Sequence, residues 1–178
     1  MSAECATRST GPTCPPARLR VTPATSDDWI EIEAMLHDYL EWLRAVTGLE
    51  PTREQPRFGV EIADPQRAFA ADDTTMLVAR MATRQVGMVA VRRGDDGSAE
   101  LKRLYVRPVA RGRRIADLLV AEAIGTASRL GARSVWLETL RGVMDPAMNV
   151  YRRHGFEVVD QQSDIGHAGA VVMNRPLT

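Results

Sequence analysis

Between Ala99 and Leu140 the chain changes its hydrophobic period twice, and this stretch most constrains what it can fold into. AELKRLYVRP alternates, with Leu101, Arg103 and Tyr105 on one face and Glu100, Lys102, Leu104 and Val106 on the other, until Pro108 ends the run. From about Arg113 to Leu130 the apolar residues Ile115, Leu118, Leu119, Ala123 and Ala127 recur at helical spacing, and Gly131 closes the repeat. SVWLETL, Ser134 to Leu140, is then a largely apolar strand. Strand, helix and strand in this order imply a right-handed crossover joining two parallel strands.

The flanking segments extend the sheet. LRVTPAT, Leu19 to Thr25, suits a first strand, and from Asp27 the residues Trp29, Ile32, Leu36, Tyr39, Leu43 and Val46 mark an amphipathic helix. Ser26 or Asp27 can cap it, and Gly48 can end it. Leu49 to Asp73 carries Pro51, Pro56 and Pro65 and reads as a variable connection, with a short helix near Pro65 to Ala71. Thr74 to Arg80 and Gln85 to Arg93 form a hairpin, and GDDGS is the next turn. Asp145 before Pro146 opens a short helix ended by Gly155, and FEVVD and AGAVVMNRP supply two more strands. The fold class is α/β, with a mixed, mostly antiparallel sheet of about seven strands flanked by helices.

With 178 residues and 44% of them hydrophobic, the chain is sized for one domain, expected from residue 18 to 178. Residues 1–17 read as a disordered tail: small residues and prolines, no periodicity, and both cysteines, Cys5 and Cys14. No secretory signal and no membrane span is recognisable, so the expectation is a cytoplasmic protein with reduced thiols, a Cys5–Cys14 disulfide being the disfavoured alternative. Twenty-three basic residues balance 23 acidic ones, which gives no support to a nucleic-acid or membrane partner. His37, His154 and His167 are scattered without metal-ligand spacing, so no metal is expected.

Charge is nevertheless concentrated locally. Lys102, Arg103, Arg107, Arg111, Arg113 and Arg114 crowd the strand-to-helix junction with no acid among them. Free backbone N–H groups and the helix dipole favour an anion there, a diphosphate above all, although a solvated basic loop reads equally well. Tyr151 lies four residues before Gly155; alone it is most simply a core aromatic with a wet hydroxyl. Trp29, Tyr39 and Trp42 have helical spacing and read as core, with a pocket wall as the other option.

Taken together, ELKRLYVRPVARGRRIADLLV followed some thirty residues later by NVYRRHGF resembles the GNAT superfamily of N-acetyltransferases. That resemblance implies acetyl-CoA as the acetyl donor, an amine of a small molecule or peptide as acceptor, and a parallel strand pair opened into a cofactor wedge. It also leaves a homodimer open. The family's loop, Gln or Arg, two variable residues, Gly, one variable residue, then Gly or Ala, falls on Arg111, Gly112, Arg113, Arg114, Ile115 and Ala116, with Arg114 replacing the glycine. By resemblance, the backbone of Leu104 and Val106 pairs with the pantetheine arm, the N–H groups of Arg111 to Ala116 receive the pyrophosphate, and Asn149 contacts the cofactor near its sulfur. Arg114 needs no glycine if it already lies in the helix's first turn with negative φ, and that is the expectation here.

Direct transfer from the thioester asks for two proton handlers. An alkyl ammonium near pKa 10 is about one part in a thousand neutral at pH 7, a cost of roughly 4 kcal/mol. By the family spacing, Glu100 is the candidate base, expected on the same strand face as Leu104 and Val106; the other reading is an exposed strand residue beside a turn. Tyr151 is the candidate to protonate the departing thiolate or to hydrogen-bond it. The alternative to an enzyme is a degenerate member that binds acyl-CoA as a sensor or interaction protein, the reading that Arg114 motivates.

Overall fold

A computed structural model of the chain describes residues 19–178 apart from residue 70; the expected tail lies outside them. Strand β1 (Leu19–Pro23) leads through a 3-10 turn into helix α1 (Trp29–Thr47), which Gly48 ends with φ 67°. Asp28, rather than Ser26 or Asp27, is the N-cap residue of α1, and Thr25 caps the 3-10 turn before it, its N–H and hydroxyl donating to Asp28 at 2.6 and 2.8 Å. The buried stripe of α1 is Ile32, Met35, Leu36, Leu40 and Leu43, while Val46, expected in it, is exposed.

The proline-rich connection is more ordered than its sequence suggested. It forms three short helices, α2 (Pro51–Glu54), α3 (Pro56–Ala63) and α4 (Pro65–Phe69), each beginning with a proline. Proline's fixed φ and missing N–H cost nothing at a helix's first position, so the three prolines act as start signals.

Seven strands form one sheet: β1, β2 (Thr74–Met81), β3 (Arg84–Arg93), β4 (Ser98–Val106), β5 (Ser134–Leu140), β7 (Ala170–Pro176) and β6 (Glu157–Val159), in that spatial order. Only β4 and β5 run parallel, joined by α5 (Ile115–Arg129); every other neighbouring pair is antiparallel. Helix α6 (Asp145–Arg153) follows β5. Two apolar clusters form, one on each face. One gathers Leu101, Leu119, Val135, Met148 and Phe156 beneath α5 and α6, and the other gathers Leu36, Leu40, Phe58, Met88 and Tyr105 beneath α1 and α3. Leu118, expected in the first, is 45% exposed.

Beta4 departs from the simple alternation read in its sequence. Ala90 is opposite Lys102 but Met88 is opposite Tyr105, so β4 spends three residues where β3 spends two, and Arg103 takes up the excess with φ 57°. That is a β-bulge, and it exchanges the faces of everything after it. Leu101 therefore packs under α5 while Tyr105 packs under α1, and Glu100 lies on the opposite face from Leu104 and Val106, both of which join the α5 cluster. The expected grouping of Leu101 with Tyr105, and of Glu100 with Leu104 and Val106, is thereby corrected.

A buried ion cluster accompanies the bulge. Glu61 of α3 accepts from Lys102 Nζ at 2.7 Å and from Arg103 Nε at 2.6 Å, and all three side chains are more than nine-tenths buried. The Arg103 guanidinium also lies 3.7 Å from the centroid of the Phe58 ring. Charges buried this deeply are tolerable only as a set, because each loses its hydration. Glu61→Ala is expected to destabilise the fold by about 3–5 kcal/mol, read from urea denaturation; a loss under about 1 kcal/mol would show that the cluster does not hold the bulge.

Candidate active site

Beta4 and β5 are in register for only three residue pairs, ending at Glu100 and Trp136, whereas β5 and β7 pair along their whole length. Beyond Glu100 the parallel strands diverge and leave a wedge, the core of a cleft of about 1050 Å³. That volume is at the upper end for a ligand pocket. The edge of β4 facing the wedge is unpaired: Arg107 N–H bonds to Val86 of β3, so by alternation the polar backbone groups of Leu104 and Val106 point the other way. The Val106 carbonyl accepts from Arg111 Nε at 3.1 Å.

The basic loop lies at the mouth of this wedge. Arg111 and Ala116 line the cleft, Ile115 is buried beneath it, and Arg113 reaches Met81 Sδ at 3.5 Å. The first intrahelical bond of α5 at this end runs from Leu118 N–H to the Arg114 carbonyl, which leaves the N–H groups of the preceding turn without helical partners. Gly112 has φ 77° and Arg114 φ 57°, and Arg114 caps the helix from outside it. The expectation of negative φ at Arg114 is therefore wrong. The position does take the left-handed backbone that favours glycine, and the arginine bears the cost of its β-carbon there, on the order of 1 kcal/mol.

Tyr151 is 6% exposed, packs edge-on against Phe156 with centroids 5.8 Å apart, and lines the cleft. Burial pushes its phenol well above the ordinary value near 10, and the nearby Tyr39 adds to the shift. Tyr39 comes from α1 on the opposite face of the sheet, so the wedge is where the two faces meet. Tyr39 and Trp42, stacked with centroids 6.1 Å apart, also line the cleft, so they are wall as well as core.

The two acidic candidates differ in their company. Glu100 receives Arg92 at 2.6 Å and Lys102 at 3.4 Å. Glu138 of β5, which sequence reasoning passed over, also lines the cleft, and among the described residues it accepts only from Ser163 Oγ at 2.6 Å and the Asp164 N–H at 2.7 Å. Its one sequence signal is an acid inside the otherwise apolar SVWLETL. Asn149 is not brought to the cleft. It is exposed on α6 and its Oδ1 accepts from Arg152 at 3.2 Å. Asp117, at the start of α5, is taken up by Arg153 at 2.9 Å, with His154 3.6 Å away.

Among known families, residues 32–156 match the model of the acetyltransferase (GNAT) family. The chain belongs to the GNAT family. It is 40% identical over 102 residues to an uncharacterised N-acetyltransferase of Schizosaccharomyces pombe, a match covering 56% of this chain and 62% of that protein. The chain thus spans about three fifths of the length of the curated relatives it matches. Solved GNAT structures share the fold. An acetyltransferase from Staphylococcus aureus superposes with a TM-score of 0.70 at 15% identity, covering 90% of this chain and 100% of that one. The PaiA N-acetyltransferase of Thermoplasma acidophilum, determined in complex with coenzyme A, gives 0.68 at 19%, covering 90% and 99%. Among the described residues of this GNAT chain, no helix is long and apolar enough to cross a membrane, and no group of three or more His, Cys, Asp or Glu residues is arranged to hold a metal ion.

Two outcomes follow from this geometry. Arg114→Gly is expected to raise stability by about 0.5–1 kcal/mol, and Arg114→Val to lower it by at least as much, in thermal denaturation; the reverse order would show that the left-handed backbone carries no strain. A raised folded-state pKa at Tyr151 means its stabilising contribution is complete below pH 10 and is lost as pH climbs beyond that. Tyr151→Phe should therefore flatten the alkaline decline of stability above pH 10, read from denaturation midpoints.

Proposed function

We propose that this GNAT chain is an N-acetyltransferase that moves an acetyl group from acetyl-CoA to an amine by direct transfer, with both substrates held in the cleft. The observation that carries this reading is the unpaired edge of β4 opening beside a buried tyrosine and leading to a helix N-terminus. The backbone groups of Leu104 and Val106 suit the amide-bearing pantetheine arm, which would bind as an added strand. The partnerless N–H groups at the start of α5, with Gly112, Arg111, Arg113, Arg114, Ile115 and Ala116 around them, suit the diphosphate.

In this reading the acceptor's ammonium gives its proton to a carboxylate, and the freed amine attacks the thioester carbon. The new C–N bond forms, the C–S bond breaks, and the electron pair leaves on sulfur. Glu138, with no ion pair among the described residues, is better placed for the proton than Glu100, which is already engaged by Arg92 and Lys102. At the other end, magnitudes decide how Tyr151 acts. Its phenol lies above 10 while a thiol lies near 8.5, so full proton transfer to the thiolate is uphill by at least about 2 kcal/mol. Tyr151 therefore works by donating a hydrogen bond to the departing sulfur, and the proton reaches the thiolate from the solvent or from the acceptor.

Acetyl-CoA at 100 times its dissociation constant should stabilise the chain by about 2.7 kcal/mol; no shift with any acyl-CoA would remove the donor assignment. With a pool of amines, free-thiol release should fall about 100-fold in Tyr151→Phe while the acetyl-CoA stabilisation stays. Equal rates would take Tyr151 out of the mechanism. Glu138→Gln should cost about 100-fold and Glu100→Gln less than about tenfold, and the opposite order would return the base role to Glu100. The left-handed Arg114 favours one rival, a chain that binds acyl-CoA without turnover, for which stabilisation without thiol release is the signature.

A further inference from the structure

On the sheet face away from α5, a row of side chains crosses four strands in register: Arg92 of β3 opposite Glu100, Glu100 opposite Trp136, and Trp136 opposite Asn174 of β7. These four residues line a second cavity of about 480 Å³, continuous with the cleft because Arg92, Glu100 and Trp136 border both. Where the cleft is walled on its α1 side by Tyr39, Trp42 and Leu43, this annex is walled by Ser98, Ser134, Gln161 and the Asp95–Asp96 turn. Arg92 and Glu100 neutralise one another at 2.6 Å. Among the described residues, the side chains of Ser134, Gln161, Asn174 and Asp95 make no hydrogen bond within the protein.

An unspent set of hydroxyl, amide and carboxylate groups around a partly exposed indole has a definite ligand chemistry. Planar polar side chains offer donors and acceptors side by side, which suits adjacent hydroxyls. An indole face suits the flat C–H side of a saturated ring. A simple alkylamine would leave those groups facing only water, whereas a hydroxylated one would engage them.

Resting on the acyl-transfer reading above, we infer that the acceptor is a polyhydroxylated amine of the amino-sugar class, its amine directed into the cleft beside Glu100 and Glu138, its ring lying on Trp136 and its hydroxyls reaching Asn174 and Gln161. Trp136 and Asn174 are then specificity-determining residues, remote from the thioester.

The test is a rate comparison on the full chain with saturating acetyl-CoA, using amino sugars and hydroxyl-free cyclic amines of matched pKa. Amino sugars should show a kcat/KM at least about tenfold higher, the worth of one or two hydrogen bonds. Trp136→Ala and, should that variant fold poorly, Asn174→Ala should each raise KM for amino sugars about tenfold, a clearly larger change than for the matched plain amines. Amino sugars turned over no faster than their matched amines, including no turnover of either, overturn the acceptor assignment. Acetyl-CoA binding, followed by thermal shift in the same samples, separates the two readings: if it persists the donor assignment stands, and if it is absent both fall.

Discussion

One extra residue in β4 underlies the geometry of the site. Without the bulge at Arg103, β4 would alternate to its end, Tyr105 would fall under α5, and Leu104 and Val106 would fall under α1. The left-handed backbone there is unfavourable for an arginine, and the ion cluster with Glu61, together with the Phe58 ring under the guanidinium, offsets it. Because Glu61 belongs to α3, the connection that forms one wall of the cleft is fastened to the strand that forms its floor. The unpaired edge of β4 and the α3-side wall of the cleft are therefore set by the same contact.

The wedge itself needs both ends of that arrangement. Three residue pairs hold β4 to β5 at one end, and past them α6 delivers Tyr151 into the gap from one face while α1 delivers Tyr39 from the other. Two aromatic side chains from opposite faces of the sheet thus line one gap between strands that would otherwise be hydrogen-bonded to each other. The cleft is apolar where the sheet is open and polar where the sheet is closed, and Glu100 and Trp136 stand at the change.

Periodicity alone made much of the fold legible. The β-α-β unit, the hairpin, the seven strands and the glycine that ends α1 all follow from spacing and turn chemistry, and Arg111, Ala116 and Tyr151, singled out by the family pattern, line one cleft. What could not be read has identifiable causes. A bulge leaves no mark in a string of letters when its residue is arginine rather than glycine, so the facing of Glu100 and Tyr105 came out wrong. Arg114 misled for the same reason: side-chain identity is weak evidence about φ when neighbouring structure enforces it. Glu138 was passed over because a charge in an apolar strand becomes informative only once the neighbouring strand is seen to turn away. Asn149 is the opposite case: expected at the cofactor, it lies on the exposed side of α6, while Val150 and Tyr151 of the same helix line the cleft.

The bulge also bears on how this chain is compared with its relatives. A side chain's place on a strand is counted by parity, so an alignment that opens or closes a single-residue gap at Arg103 exchanges, on paper, every downstream position between the α5 face and the α1 face of the sheet. Leu104 would be matched to a residue facing the opposite side of the sheet while the letters still agreed well. For this strand the unit of comparison is the hydrogen-bonded partner on β3, not the position in the chain.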